Sequence, residues 1–195
     1  MRGAAAMVVA LLLGGCGGEP PAAPTYNLVL DAQGVVFAGS DATYARFPFG
    51  TSKADVERAA AAVYGDAKAR RTNSAECGAG PMAFTSYGAI QLGFQRDRLV
   101  GWTMRRAAAG AGEGGIAPGI TRMQLDRLAA IRMMPDPAVP GEFVYRTPTG
   151  PIRGVLAGRG PQARVEALFA GTACAANRPD PPTSSASSQN GTFAG

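Results

Sequence analysis

The chain has no histidine among its 195 residues, and that decides most of the chemistry open to it. Histidine is the usual general base, the commonest metal ligand and the partner that activates serine or cysteine nucleophiles. Acid-base work therefore falls to carboxylates, of which Glu76, Asp97, Glu113, Glu142 and Glu166 are the candidates. Two of them must converge, one with a raised pKa, to act as an acid and base pair; nothing in their spacing demonstrates this. Asp55, Glu57 and Asp126 fall in the first turns of expected helices, where the helix dipole favours negative charge, so they read as caps or solvated charges. Ser52-Lys53 has the residue types of a Ser-Lys nucleophile, but a capping role already accounts for Ser52.

Gly110-Ala111-Gly112-Glu113-Gly114-Gly115 satisfies G-x-G-x-x-G, the pattern of a glycine turn that cradles a pyrophosphate at a helix start. Here Ile116-Ala117-Pro118-Gly119 intervene before a helix can begin at Thr121. The acid expected about 20 residues on to bind the ribose is Asp136, set between Pro135 and Pro137. The stretch reads as a glycine-rich linker, and neither cofactor nor metal is expected. A net charge of +5 raises the question of a polyanion partner. No basic run exceeds Arg70-Arg71 or Arg105-Arg106 and no recognition motif accompanies them, so nucleic-acid binding is not expected.

Met1-Arg2 precedes an apolar run from Ala4 to Leu13 and small residues up to Cys16. The run is shorter than the ~20 residues that span a bilayer and has the form of a secretory signal peptide. Leu13-Gly14-Gly15-Cys16 resembles the lipobox of bacterial lipoproteins. The resemblance implies that residues 1–15 are removed and that Cys16 carries acyl chains such as palmitate, with 16–25 a tether. In that family an aspartate after the lipidated cysteine marks inner-membrane retention; Gly17 stands there, which implies the periplasmic face of the outer membrane. In such a compartment disulfides persist, and Cys77 and Cys174 form an even pair. A disulfide closing their loop of about 97 residues stabilises by roughly 4–5 kcal/mol in the chain-entropy model. The alternative metal or redox uses lack ligands and a C-x-x-C motif.

Gly50 to Ala61 aligns without gaps on Gly119 to Ala130. Ser52 and Thr121 take the N-cap places, with Asp55 and Gln124 three residues on in the manner of capping boxes. Val56, Ala59, Ala60, Val63 and Tyr64 then make one apolar helical face ending at Gly65. The second copy shows Leu125, Leu128 and Ala129 and is expected to run to Pro135. Strands are expected at Met82 to Tyr87, Ile90 to Phe94 and Leu99 to Met104, then at Glu142 to Thr147, Ile152 to Ala157 and Val165 to Phe169. Asn27 to Asp31 and Val35 to Ala38 suggest a further hairpin.

The resulting expectation is an α+β chain of two tandem helix-plus-antiparallel-meander units. Residues 26–109 hold the hairpin and first unit, 110–118 the linker, 119–176 the second unit, and 177–195 a polar, disordered tail. A glycine, Ser/Thr-Lys/Arg and Val/Leu at a helix start before a small sheet is similar to the envelope lipoproteins of the BamE (SmpA/OmlA) type. Two such units in tandem resemble the β-lactamase-inhibitor-protein fold, although this chain has only one disulfide-capable pair. Glu76 to Pro81 with the Leu92 to Trp102 stretch resembles a group of uncharacterised bacterial secreted proteins.

These resemblances imply a non-catalytic envelope protein that binds another protein; an inhibitor of a secreted hydrolase is the alternative, and an enzyme of unknown type the third. For the binding surface, Trp102 beside Arg105 and Arg106 has the composition of an interface hot spot, or else Trp102 is a core residue of the sheet. Phe47-Pro48-Phe49 reads as a ligand patch or as an apolar lead-in to the first helix. Met123, Met133 and Met134 read as gap-filling core or helix-end residues.

Overall fold

In the computed structural model residues 27–38, 44–105, 110–137 and 139–174 are described. Cys16, the signal peptide 1–15, the tether 16–25, Arg106 and the tail 177–195 lie outside the described residues.

Alternation of apolar and polar residues builds a hairpin at the start. In β1 (Asn27–Asp31) and β2 (Gly34–Ala38), Leu28, Leu30, Val35 and Phe37 are buried while Val29 faces outward. β3 (Tyr44–Pro48) adds to β2, so Phe47-Pro48 is the end of a strand, and Phe47 and Phe49 pack on the core as a lead-in to the helix. α1 (Lys53–Tyr64) starts at Ser52, whose hydroxyl accepts from the Asp55 amide, and stops at Gly65. Then come β4 (Ala69–Ser74), β5 (Met82–Tyr87), β6 (Ile90–Gln95) and β7 (Arg98–Met104). The head of the expected linker is itself a strand, β8 (Gly110–Gly112), paired in parallel with β1.

α2 (Arg122–Leu128) begins with a complete capping box between Thr121 and Gln124. It ends well before Pro135, because Ala129 turns extended and Ile131 to Met133 pair with Tyr145 to Phe143 as β9 (Ile131–Met133). The sheet ladder satisfies those backbone groups in place of helical bonds. β10 (Glu142–Thr147), β11 (Gly150–Ala157) and β12 (Arg164–Gly171) follow.

The fold is therefore α+β, mostly sheet, with two α-helices among the described residues. One sheet has the order β3-β2-β1-β8; the other has eight antiparallel strands in the order β4-β5-β6-β7-β12-β11-β10-β9. The main core lies between the large sheet, the small sheet and the two helices. It takes Val56 and Ala60 from α1, Leu125 from α2, and Leu92, Trp102, Phe143, Ile152 and Leu168 from the large sheet.

Both helix starts are tied to the large sheet by the same bonds. The Gly50 amide donates to the Leu99 carbonyl at 2.7 Å, and the Gly119 amide to Val165 at 2.7 Å. The Arg98 guanidinium donates to the Gly50 carbonyl at 3.2 Å, and that of Arg164 to Gly119 at 2.7 Å. Across one meander the register runs Arg71, Thr85, Leu92, Trp102; across the other it runs Met133, Phe143, Gly154, Leu168. Each meander carries one register shift in its last hairpin, at Gly93/Phe94 and at Val155/Leu156.

On the opposite sheet face the chain leaving β12 crosses β7, with the Thr172 amide donating to Val100 at 2.8 Å. A side chain at Gly101 would put its Cβ 2.3 Å from the Thr172 carbonyl oxygen, so glycine is required there. The crossing brings Cys174 within disulfide distance of Cys77, with Cα atoms 5.0 Å apart.

Candidate functional site

α2 has seven residues and buries only Leu125; its other side helps to frame an open groove of about 780 Å³. Arg122, Met123, Asp126 and Arg127 form the helical wall, Met133 of the edge strand β9 the second, and Leu156 of β11 lies among the lining residues. The third wall is the connection Gly158 to Ala163 between β11 and β12. Gly158 (φ 90°) and Gly160 (φ 69°) let this connection bend, and Pro161 stands in its short 3-10 turn.

The groove is apolar inside and cationic at its rim. Met123 is 43% exposed, Met133 40% and the neighbouring Leu128 55%, three of the largest exposed apolar side chains described. Of the residues expected as gap-filling core or helix ends, Met123 is an exposed residue of α2's first turn and Met133 an exposed residue of β9, and Leu128, expected on the apolar helical face, is exposed at the helix end. Arg122 is taken up by Asp126 through two bonds of 2.8 and 2.9 Å. Arg127 and Arg159 have no acidic partner among the described residues. Three arginines thus stand against one aspartate around the groove. Exposed apolar surface framed by polar groups is what protein-binding sites offer. The sequence signal is Met123 and Met133 close to Arg122, Arg127 and Arg132.

The other predicted residues are placed elsewhere. Trp102 is 1% exposed and its Nε1 donates to the Asp31 carbonyl at 2.8 Å, tying the large sheet to the small one. It is a core residue and cannot serve as a surface anchor; Arg105 is exposed. Glu142, buried to 1%, pairs with Arg153, whose guanidinium lies 5.5 Å from the centre of the Phe169 ring. Asp97 lies in the tight turn between β6 and β7, where it and Arg96 adopt positive φ.

Glu113 belongs to a knot joining the small sheet to the β10–β11 turn. The Thr149 hydroxyl donates to its carboxylate and accepts from the Ala32 amide at 3.0 Å. Arg46 pairs with the buried Asp31 at 2.7 Å beside it. Burial pushes the Glu113 carboxyl up, but the Thr147 and Thr149 hydroxyls and the Arg46 charge outweigh it and hold the pKa below the ordinary range. Burial raises the Tyr145 hydroxyl, with the Glu113 charge adding to the rise, and burial alone takes Tyr64 to about 12. Both tyrosines therefore stay protonated at neutral pH, and the knot acts as a polar latch. No cluster of three His, Cys, Asp or Glu side chains able to hold a metal exists among the described residues.

Fold and groove together define a mixed α+β protein with an open, cation-rimmed apolar surface beside its second helix. No family model matches the chain, and no curated protein or solved structure matches it. No helix among the described residues is long and apolar enough to cross a membrane.

Proposed function

We propose that the chain is a non-catalytic bacterial envelope lipoprotein, anchored through Cys16 at the periplasmic face of the outer membrane, that works as a protein-interaction module. The observation that carries the reading is the exposed apolar groove whose rim holds Arg127 and Arg159, which have no acidic partner among the described residues. An exposed apolar surface is costly to keep and is retained where a partner covers it.

The body of the module is two copies of one helix-plus-meander unit, closed by a Cys77–Cys174 disulfide. Several features support this: the matching helix-start bonds, the matching register shifts, and α1 followed by β4 to β7 as α2 is followed by β9 to β12. In this alignment Lys53 corresponds to Arg122, Ala54 to Met123, Val56 to Leu125, Glu57 to Asp126 and Arg71 to Met133.

Crosslinking of the tagged protein in its native envelope, followed by mass spectrometry of the captured complexes, tests the reading. A protein partner recovered with the anchored form and lost with Cys16→Ser, while the fold persists by circular dichroism, is the expected result. One soluble hydrolase captured equally by both forms favours the inhibitor alternative. If neither form captures a protein, the module reading fails.

A further inference from the structure

We infer that the groove beside α2 receives an acidic segment of a partner polypeptide, with one apolar side chain seated between Met123, Met133 and Leu156. The inference rests on the interaction-module reading and names the docking surface and the chemistry of what docks.

The first unit defines what is special about the second. There Arg71 reaches back from the edge strand to the helix, where Glu57 accepts at 3.3 Å, and Thr85 donates to the same carboxylate. Lys53 covers Phe94 with its ammonium 5.7 Å from the ring centre. The β6–β7 connection is the tight Arg96-Asp97 turn, which raises no wall. In the second unit methionine stands in place of Ala54 and of Arg71, and the connection becomes the six residues Gly158 to Ala163. Each difference either opens the groove or lines it with apolar atoms. Methionine is flexible and polarisable, and suits a surface that must fit another chain.

Charge selects the partner. With Asp126 held by Arg122, the rim cations without an acidic partner among the described residues are Arg127 and Arg159, and arginine forks bind carboxylates in a bidentate fashion. A groove exposed along Met123 and Met133 would leave an acyl chain partly in water. A polypeptide covers the opening with its own backbone and sets carboxylates against the rim while its apolar side chain fills the middle.

The test uses the full lipidated chain and a fluorescein-labelled peptide, Glu-Asp-Leu-Glu-Asp, read by anisotropy. Binding should fall at least tenfold when the leucine is replaced by serine, at least tenfold in the Arg127→Glu/Arg159→Glu variant, and steeply with salt. A matching Lys-Lys-Leu-Lys-Lys peptide should not bind. Equal binding of the basic peptide, full competition by phosphatidylglycerol vesicles, or an unchanged affinity in the charge-reversal variant overturns the proposal. Arg127→Lys/Arg159→Lys should lose clearly less than the charge reversal, since the charge stays and only the bidentate fork goes, which separates lost charge from lost folding.

A photo-crosslinking residue placed in turn at Met123 and at Arg105, in the envelope, separates this inference from the broader reading. Adducts from Met123 that map to an acidic stretch and vanish on charge reversal support it. Adducts to a protein from Arg105 alone overturn the groove and keep the module; adducts from neither site count against both.

Discussion

The flanks of the two helices use one frame in opposite ways. Beside α1 the charges close on each other: Arg71 pairs with Glu57 and Asp66, and Thr85 donates to Glu57. Beside α2 the acid turns to its own helix, since Asp126 pairs with Arg122 four residues away, and the edge strand offers Met133. Exposed ion pairs add little to stability, with a median of about 0–1 kcal/mol, so the first flank gains mainly a closed, hydrated surface. The second has in its place, among the described residues, only the Arg122 guanidinium donating to the Met133 sulfur at 3.4 Å, and keeps a groove. The difference teaches that two helix flanks tied to one sheet by the same bonds can differ in their surface, one closed by ion pairs and the other left open and apolar.

The largest expected effect removes the frame that makes the comparison meaningful. Trp102 lies on β7, which pairs with β12, and its indole bonds the Asp31 carbonyl of the small sheet. Trp102→Ala should cost about 3–5 kcal/mol, measured by urea denaturation, and should lower hydrogen-exchange protection in both meanders. Loss confined to the first meander would show that the two halves fold independently.

Next comes the unequal fastening of the helices. α1 buries Val56 and Ala60, whereas α2 buries Leu125 alone. Leu125→Ala should cost about 2–5 kcal/mol and release the α2 amides to fast exchange, while Val56→Ala leaves α1 better protected. Equal loss of protection in the two variants would mean that the capping box at Thr121 holds α2 without its leucine.

The parts of this fold that could be read from sequence are those where local chemistry and tertiary demand agree. Ser52 and Thr121 cap helices because hydroxyls satisfy free amides at helix starts, and Met82 to Met104 alternates and turns as a meander must. β3, β4, β8 and β9 could not be read. Ala69–Ser74 is polar through Arg70, Arg71 and Asn73, and Gly110–Gly112 has no large side chain. Only pairing with β5 and with β1 makes them strands. The groove was hidden for the related reason that periodicity assigns Leu128 and Ala129 to a longer helix than the sheet permits. Trp102 shows the limit for composition: beside Arg105 it has the makeup of a hot spot, yet the small sheet covers it.

A smaller effect depends on pH. Glu113 is titrated below its ordinary value of ~4.3 in the folded chain, so its latch adds stability above that value. As pH falls from that value through the lowered folded pKa, the unfolded chain takes up a proton that the folded one does not, and the contribution is gone once both are protonated. Thr149→Val removes a hydroxyl donor to Glu113 and the acceptor for the Ala32 amide. The variant should lose stability at pH 7 and show a shallower acid limb in thermal melts recorded from pH 6 to pH 2. An unchanged limb would assign the acid sensitivity to groups other than Glu113.

The smallest effect on stability carries the finest reading of the two flanks. Met123→Ala/Met133→Arg gives the α2 flank the residue types that Ala54 and Arg71 supply beside α1. Both positions are well exposed, so the fold should shift by no more than about 0.5 kcal/mol per site. The introduced guanidinium adds positive charge, so the charge attraction for an acidic peptide persists or grows. What should vanish is the apolar preference: the affinity ratio between the leucine and serine peptides falls from at least tenfold to near one. This is a double-mutant cycle between groove and ligand, in which charge cancels and only the apolar contact remains. If the ratio survives, the leucine sits outside the methionine pair, and the wall Gly158 to Ala163, which the first unit lacks, becomes the surface that reads it.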